Sequence, residues 1–336
     1  MIELRKDPIS SRWVIINDSR DFQFDVDDGN AAVDDSVSSC PFCAGNENLI
    51  PRPIACYDKN GNRINVSDKN WNIKVIPNNK PILTIEGSIL RKAEGIYDKM
   101  KGVGAHEILI ETQNHDDKNI YKNTENFTAN ILATQDRIND LKNDLRLEYI
   151  LIFKNHGKNA GGTITHPHFQ LVALPIIPKS VKDEMTISKK YYDFKERCLF
   201  CDIIDQELSS KKRIVAETAS FVAFIPFASR FPFETWILPK EHLYDFRMIK
   251  DRFKIEELAE ISVSVFRRLH KALGKNISYN LMVHSYPLKE NKIDYYHWHI
   301  EIVPKITKFN GFDLGSGMYV NPTVPEDSAK FLREAE

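Results

Sequence analysis

Residues 163–175 read "TITHPHFQLVALP", a run with the composition of a buried strand that nevertheless carries His166, His168 and Gln170 at every second position. In an extended strand alternate side chains share a face, so these three polar groups look one way while Pro167, Phe169 and Leu171 look the other. Two imidazoles and an amide on one face of a core strand have the pattern of a prepared site. A second run, "HWHIEIVP" at 297–304, repeats the His-X-His spacing.

Working outward from these runs, the chain repeats itself at the scale of a domain. Each half starts near a CxxC pair and carries a Pro-containing apolar strand, "IKVIPNNKPIL" (73–83) and "FVAFIPFASRFPF" (221–233). Each continues into an amphipathic helix. The stripe Ile131, Leu132, Ile138, Leu141, Leu145 predicts the first, and Leu258, Ile261, Val265, Leu269, Leu273 before a capping Gly274 predicts the second. The helices lead to strands "YILIFKNHG" (149–157) and "YNLMVHSYP" (279–287), each followed by a loop and a His-X-His strand. Strand, helix and closing hairpin in this order predict an α+β fold. The polar joint near residue 190 divides it into 1–190 and 191–336. The acidic run 21–39 has few core formers and reads as a surface loop.

The 336 residues are 42% hydrophobic and 28% charged, the mix of a soluble globular chain. With 46 basic and 47 acidic residues the net charge is -1, which argues against nucleic acid or an anionic membrane as partner. No apolar run suits a membrane span or a signal peptide, and a cytoplasmic location is expected. In that reducing setting the pairs Cys40/Cys43 and Cys198/Cys201 point to zinc before disulfides.

Each CxxC supplies two ligands, and histidines must supply the rest. In the first half the choices are His106, His115, His156, His166 and His168; His106 opens a strand-like run and is preferred to His115 on a loop. In the second half His242 and His297 complete a Cys2His2 set, giving about two zinc ions per chain. With His166 on metal, His168 is left as a nucleophile. A neutral imidazole attacks phosphorus well near neutral pH, and its phosphoramidate passes the group onward. The glycine-rich "NHGKNAGGT" before it would bring backbone N–H groups of Gly161 and Gly162 to phosphate, beside Asn155, Thr163 and the Gln170 amide. In the second half Glu301 stands where the first has Gln170, and a carboxylate there repels a phosphoryl group. Phosphoryl chemistry is therefore assigned to the first half.

"CPFC", "VIPNNKP", "HEILIE", "FKNHG", "HPHFQ", "HWHIEIVP" and "GFDLGSGMYVNPTVPED", in this order, resemble the galactose-1-phosphate uridylyltransferase family of the histidine triad superfamily. The resemblance covers almost the whole chain. It implies two fused histidine-triad-like domains, an antiparallel half-barrel sheet with flanking helices, and a homodimer. It further implies ping-pong transfer, in which an NDP-sugar gives its nucleoside monophosphate, UMP in the main reading, to His168 and a sugar 1-phosphate then takes it. On the family pattern Cys40, Cys43, His106 and His166 resemble zinc ligands; Asn155, Gly161, Thr163 and Gln170 resemble phosphate contacts; Arg20 and Asn78 match positions near the nucleotide. Lys308 and Asp313 match sugar-reading positions. Phe169 replaces the glycine of the family's HPHGQ. The second CxxC with His242 and His297, together with "GFDLGSGMYVNP", is more similar to the branch containing ADP-glucose phosphorylase, which makes adenylyl transfer to inorganic phosphate an alternative. Release of the nucleotide to water, as in histidine-triad hydrolases, is another.

Overall fold

A computed structural model describes residues 2–19, 37–115, 123–274, 277–289 and 293–335. Arg20 and most of the acidic run lie outside the described residues. The chain opens with β1 (Ile2–Lys6), β2 (Trp13–Asn17), β3 (Ala55–Tyr57), β4 (Arg63–Ile64) and β5 (Ile73–Pro77). A small hairpin, β6 (Lys92–Glu94) and β7 (Tyr97–Lys99), precedes β8 (Ala105–Ile110), α1 (Thr124–Leu141), β9 (Tyr149–His156) and β10 (His168–Leu174). Helices α2 (Lys179–Lys195) and α3 (Leu199–Ser210) lead to β11 (Ile214–Glu217), β12 (Phe221–Phe224) and β13 (Thr235–Pro239). The rest is α4 (Arg252–Leu273), β14 (Tyr279–His284), β15 (His299–Pro304), α5 (Gly311–Ser316), β16 (Tyr319–Asn321) and α6 (Pro325–Glu334).

Eleven strands form one antiparallel sheet in the order β11-β12-β13-β15-β14-β9-β10-β8-β5-β3-β4. Its centre is the pair β14·β9, so the strands that follow the two amphipathic helices lie side by side, with Asn280 opposite Asn155. Outward from that seam the neighbours are β15 and β10, the two strands that follow a His-X-His pair. A separate sheet of β1, β2 and β16 joins the start of the chain to its end. No described helix is long and apolar enough to cross a membrane.

One face of the large sheet is covered by α1 and α4, which pack against each other. Asn123 caps α1 by accepting from Asn126 N, and Asp251 caps α4 by accepting from Phe253 N. The α4 stripe is buried at Leu258, Ile261, Val265 and Leu269, and Gly274 (φ +102°) follows the helix end. On α1 the stripe stops early. Asp144 accepts from Arg146 N at 2.9 Å in a turn that follows the helix, and Leu145 is left 82% exposed. Phe169 and Leu171 point into this helix-side core, with Phe169 edge-on to Phe127 at 6.4 Å, as strand alternation requires. The opposite face at β5, β8 and β10 carries Phe42, Trp71, Ile76, Ile108 and Ile110 with the Cys40/Cys43 pair.

Two charges, one in β8 and one just past its end, are buried on the helix side. Glu107 takes both hydrogen bonds of Arg137 from α1, at 2.8 and 2.7 Å, and Glu111 pairs with Lys154 of β9. Removing Glu107 would leave the buried Arg137 guanidinium with only the exposed Asp140 carboxylate, at 2.9 Å, as its counter-charge. Glu107→Ala should therefore cost about 3–5 kcal/mol of unfolding free energy, measured by urea denaturation; an unchanged midpoint would show that the pair does not tie α1 to the sheet.

Candidate active site and metal centres

The His-Pro-His turn is held from behind by the end of β8. Glu111 N–H donates to the Pro167 carbonyl at 3.1 Å, and the Thr112 carbonyl accepts from His166 Nε2 at 2.8 Å. The His166 proton is thereby placed on Nε2, and the Nδ1 lone pair faces sulfur, 3.7 Å from Cys40 Sγ and 3.6 Å from Cys43 Sγ. His115 Nδ1 lies 3.2 Å from Cys43 Sγ. All four donor atoms fall within 4.8 Å of one another. Zinc bond lengths imply tetrahedral edges of about 3.3–3.8 Å between such donors, so the set fits the ion.

His106 is not in this set, and the expectation that it would be a ligand is corrected. Strand β8 runs antiparallel to β10, pairing His106 with Val172 and Ile110 with His168. The start of β8 is thus carried away from the His-Pro-His turn, and the segment beyond its end is brought beside it. His115 is the first histidine after that end. Antiparallel pairing of the two strands was the signal that could have selected it.

The second set fits in the same way. Cys198, Cys201, His242 and His297 present donors within 4.8 Å, with Cys201 Sγ at 3.4 Å from His242 Nδ1 and 3.8 Å from His297 Nδ1. His297 Nε2 donates to the Pro239 carbonyl at 2.9 Å, which repeats the arrangement at His166. Burial and then its neighbour Cys40 raise Cys43 to about 11, and in the other pair hydrogen bonding from Cys201 pulls Cys198 down while Cys201 is pushed up. A bound cation would favour the thiolate form of both pairs.

His168 sits on the same face as the first centre, with its ring 5.2 Å from Phe42. Its Nδ1–H donates to the His166 carbonyl at 2.8 Å, so Nε2 keeps the lone pair. Burial, opposed by that carbonyl and reinforced by the Lys154 ammonium, lowers its pKa to about 4. The imidazole is neutral at pH 7. Gln170 Oε1 lies 2.9 Å from His106 Nε2, and Asn155 Oδ1 accepts from Asn280 Nδ2 at 2.8 Å. Asn78 flanks the His106 ring, its Nδ2 at 3.1 Å from Nε2.

The glycine loop differs from expectation in what it offers. Gly161 N–H donates to the Lys158 carbonyl and Gly162 N–H to the Gly157 carbonyl, both at 2.9 Å, so neither is available to cradle a phosphate. The glycines serve the turn itself. Gly157 has φ +80°, and a Cβ there would meet Ser278 Oγ at 2.1 Å; one on Gly162 would meet the Gly157 carbonyl at 2.8 Å. Thr163 follows directly, and its N–H has no partner among the described residues. Asp313 accepts from Asn310 N at 2.8 Å and closes the capping box of the exposed helix α5, three residues before β16 of the small sheet; Lys308 precedes the same helix.

Around the second His-X-His strand lies a group that sequence reasoning missed. Glu184 of α2, His284 and His299 bring donor atoms within 4.8 Å of one another. His299 is stacked on His284 at 4.7 Å and on Trp236 at 5.2 Å, and is wholly buried. His168 keeps 7% of its surface exposed, whereas the same place in the second half is filled. Glu301 is bound by Arg230 at 2.6 Å, and Arg230 also holds Glu234 at 2.7 Å. Burial would raise Glu301, but the Arg230 guanidinium and the two histidines bring it to about 2. Here the carboxylate has its own cation.

A half-barrel antiparallel sheet with a His-Pro-His strand beside a Cys/His cluster places the protein in the histidine-triad-like class. A family model described as a domain of unknown function, DUF4921, matches residues 104–333. An ADP-glucose phosphorylase of Arabidopsis thaliana is 33% identical over 99% of this chain and 92% of its own. A galactose-1-phosphate uridylyltransferase of Thermotoga maritima is 27% identical over 100% and 99%. The solved structure of an ADP-glucose phosphorylase from Arabidopsis thaliana with bound ADP-glucose superimposes with a TM-score of 0.82 at 30% identity, covering 99% of each chain. The chain belongs to the galactose-1-phosphate uridylyltransferase family, which includes the ADP-glucose phosphorylase branch and whose named members transfer nucleotidyl groups.

The two metal sets predict that His115→Ala loses one bound metal ion per chain while His106→Ala loses none, read by elemental analysis of purified protein; loss on His106→Ala would restore the ligand set expected from sequence. A pH effect follows from His284. Burial opposes its charge, yet the Glu184 and Glu301 carboxylates raise it to about 9. A pKa raised on folding gives stability that is complete below the unfolded value of about 6.5 and is lost as pH rises through the folded one. Wild type should therefore lose more stability than Glu184→Gln between those two pH values; parallel thermal melts across that window would contradict the assignment.

Proposed function

We propose that the protein moves a nucleoside monophosphate from an NDP-hexose to a hexose 1-phosphate through a nucleotidyl group carried on His168, as a galactose-1-phosphate uridylyltransferase does. The observation that carries this reading is the 2.8 Å bond from His168 Nδ1–H to the His166 carbonyl, which leaves Nε2 unprotonated. Nε2 attacks the α-phosphorus; the new P–N bond forms as the bond to the bridging oxygen breaks, and hexose 1-phosphate leaves with the electron pair. A phosphate oxygen of the acceptor then attacks the same phosphorus, the P–N bond breaks, and the neutral imidazole is restored. The Gln170 and Asn155 amides, with Thr163, donate to the non-bridging oxygens as charge builds there. Arg20, Asn78, Lys308 and Asp313 are assigned to the remainder of the nucleotide sugar on the family pattern.

Zinc held by Cys40, Cys43, His115 and His166 supplies a fixed anchor for the turn, and a second ion on Cys198, Cys201, His242 and His297 does so for the other half. The two halves act as domains divided near residue 190. Exposed apolar groups support a homodimer: Ile96 and Tyr97 at the β6–β7 hairpin are 91% and 72% exposed, and Leu314 of α5 is 78% exposed. Five cysteines without a disulfide suit the cytoplasm. The adenylyl version, from ADP-glucose to inorganic phosphate, has its own support in the 33% identity to an ADP-glucose phosphorylase over 99% of the chain.

The test uses UDP-glucose and ADP-glucose labelled at the α-phosphate, with galactose 1-phosphate or inorganic phosphate as acceptor. One donor should leave label on the wild type that its acceptor removes, and His168→Ala should take no label and lose about a thousand-fold or more in rate. Label on neither donor would overturn the reading; free UMP or AMP without acceptor would make the protein a hydrolase.

A further inference from the structure

An amide has an oxygen on one side and an NH2 on the other, and beside an anionic diphosphate only the NH2 is useful. Gln170 and Asn155 both face that choice. In each case a backbone group, whose role is not ambiguous, settles it. Ile82 N–H donates to His106 Nδ1 at 3.2 Å; a peptide N–H cannot accept, so Nδ1 is unprotonated and the proton of the neutral ring sits on Nε2. That Nε2 is the atom 2.9 Å from Gln170, so Gln170 presents Oε1 to it. The His106 ring is buried, which lowers its pKa, and the Asn78 side chain beside it is fixed in turn, its Oδ1 accepting from Lys80 N at 2.9 Å. The Asn78 NH2 lies 3.1 Å from Nε2 and 3.4 Å from Nδ1, so nearly equidistant that it sits over the ring face and takes neither in-plane position.

The second amide is set from across the central seam. Asn280 Nδ2 donates to the Ala160 carbonyl at 2.9 Å, and a carbonyl only accepts, so the nitrogen of Asn280 is the atom on that side. The same nitrogen lies 2.8 Å from Asn155, which therefore presents Oδ1. Both oxygens are engaged and both NH2 groups are left to donate. Among the described residues neither Gln170 Nε2 nor Asn155 Nδ2 has a partner.

We propose that His106 and Asn280 are positioning residues that lock the Gln170 and Asn155 amides with their NH2 groups available to the phosphates of the nucleotide. The proposal rests on the reading of His168 as nucleotidyl carrier and goes beyond it in two ways. It gives His106 a role in place of a metal, and it gives the second half a direct part in the first half's site. Without the lock each amide can turn over and set an oxygen against phosphate. Loss of one oxyanion donor outright costs about 10²–10³ in rate, and loss of its orientation alone should cost less, roughly ten- to a hundred-fold.

Two measurements test it. Long-range proton–nitrogen NMR of the zinc-loaded full-length protein, with His106→Gln for assignment, should find the His106 proton on Nε2; a proton on Nδ1 would overturn the lock at Gln170. Double-mutant cycles read the rate of nucleotidyl transfer. His106→Ala should lower kcat roughly ten- to a hundred-fold with KM changed less, and should cost under about two-fold when Gln170 is already alanine; Asn280→Ala should behave the same way against Asn155→Ala. Equal losses in both backgrounds would make either residue merely structural and overturn its assignment. If no NDP-hexose labels the wild type, the parent reading falls, and the ring spectrum still decides whether His106 orients Gln170.

Discussion

The 2.8 Å hydrogen bond between His168 Nδ1 and the His166 carbonyl decides which nitrogen of the second imidazole keeps its lone pair, and much of the first half is arranged around that carbonyl. It is held where it is because His166 is held. Its ring is fixed on one side by the Thr112 carbonyl and on the other by two sulfurs, and the next carbonyl, that of Pro167, is fixed by Glu111 N–H. A metal ion held by the cysteines would act on the site through geometry, pinning one imidazole so that its neighbour two residues on keeps a single tautomer and a single direction.

The two halves show what happens when one strand plan meets different neighbours. Both carry a His-X-His pair in which the first ring faces a cysteine pair and the second donates to the carbonyl two residues back. In the first half the second ring is followed by Gln170, which the neutral His106 engages. In the second half the corresponding ring is followed by Glu301, and a buried carboxylate demands compensation; Arg230 pairs with it, and His284, itself held by Glu184 of α2, lies against it. One change from amide to carboxylate separates a face that can receive an anion from one that already contains it.

Much of the fold was legible. Apolar periodicity marked α1 and α4, and alternation put Phe169 into the core and His168 away from it, because a strand's two-residue period leaves no freedom once one face is buried. Where reading along the chain failed, the missing information was register. His106 looked like a ligand because it opened a strand, yet pairing with Val172 carries it away from the cysteines and into contact with Gln170. The glycines after His156 suggested outward N–H groups, but the tight turn consumes those of Gly161 and Gly162 on its own carbonyls.

By itself the sequence determined the element types, the two CxxC pairs, the repeated His-X-His strands and the contrast between Gln170 and Glu301, since each depends on residue type and local spacing. Which histidine joins which cysteine, which way each amide is turned, and that Glu184 of α2 meets His284 of β14 were decided only in three dimensions. Those contacts join residues far apart in the chain, and their partners are chosen by how strands align in the sheet, a quantity that no single stretch of residues carries.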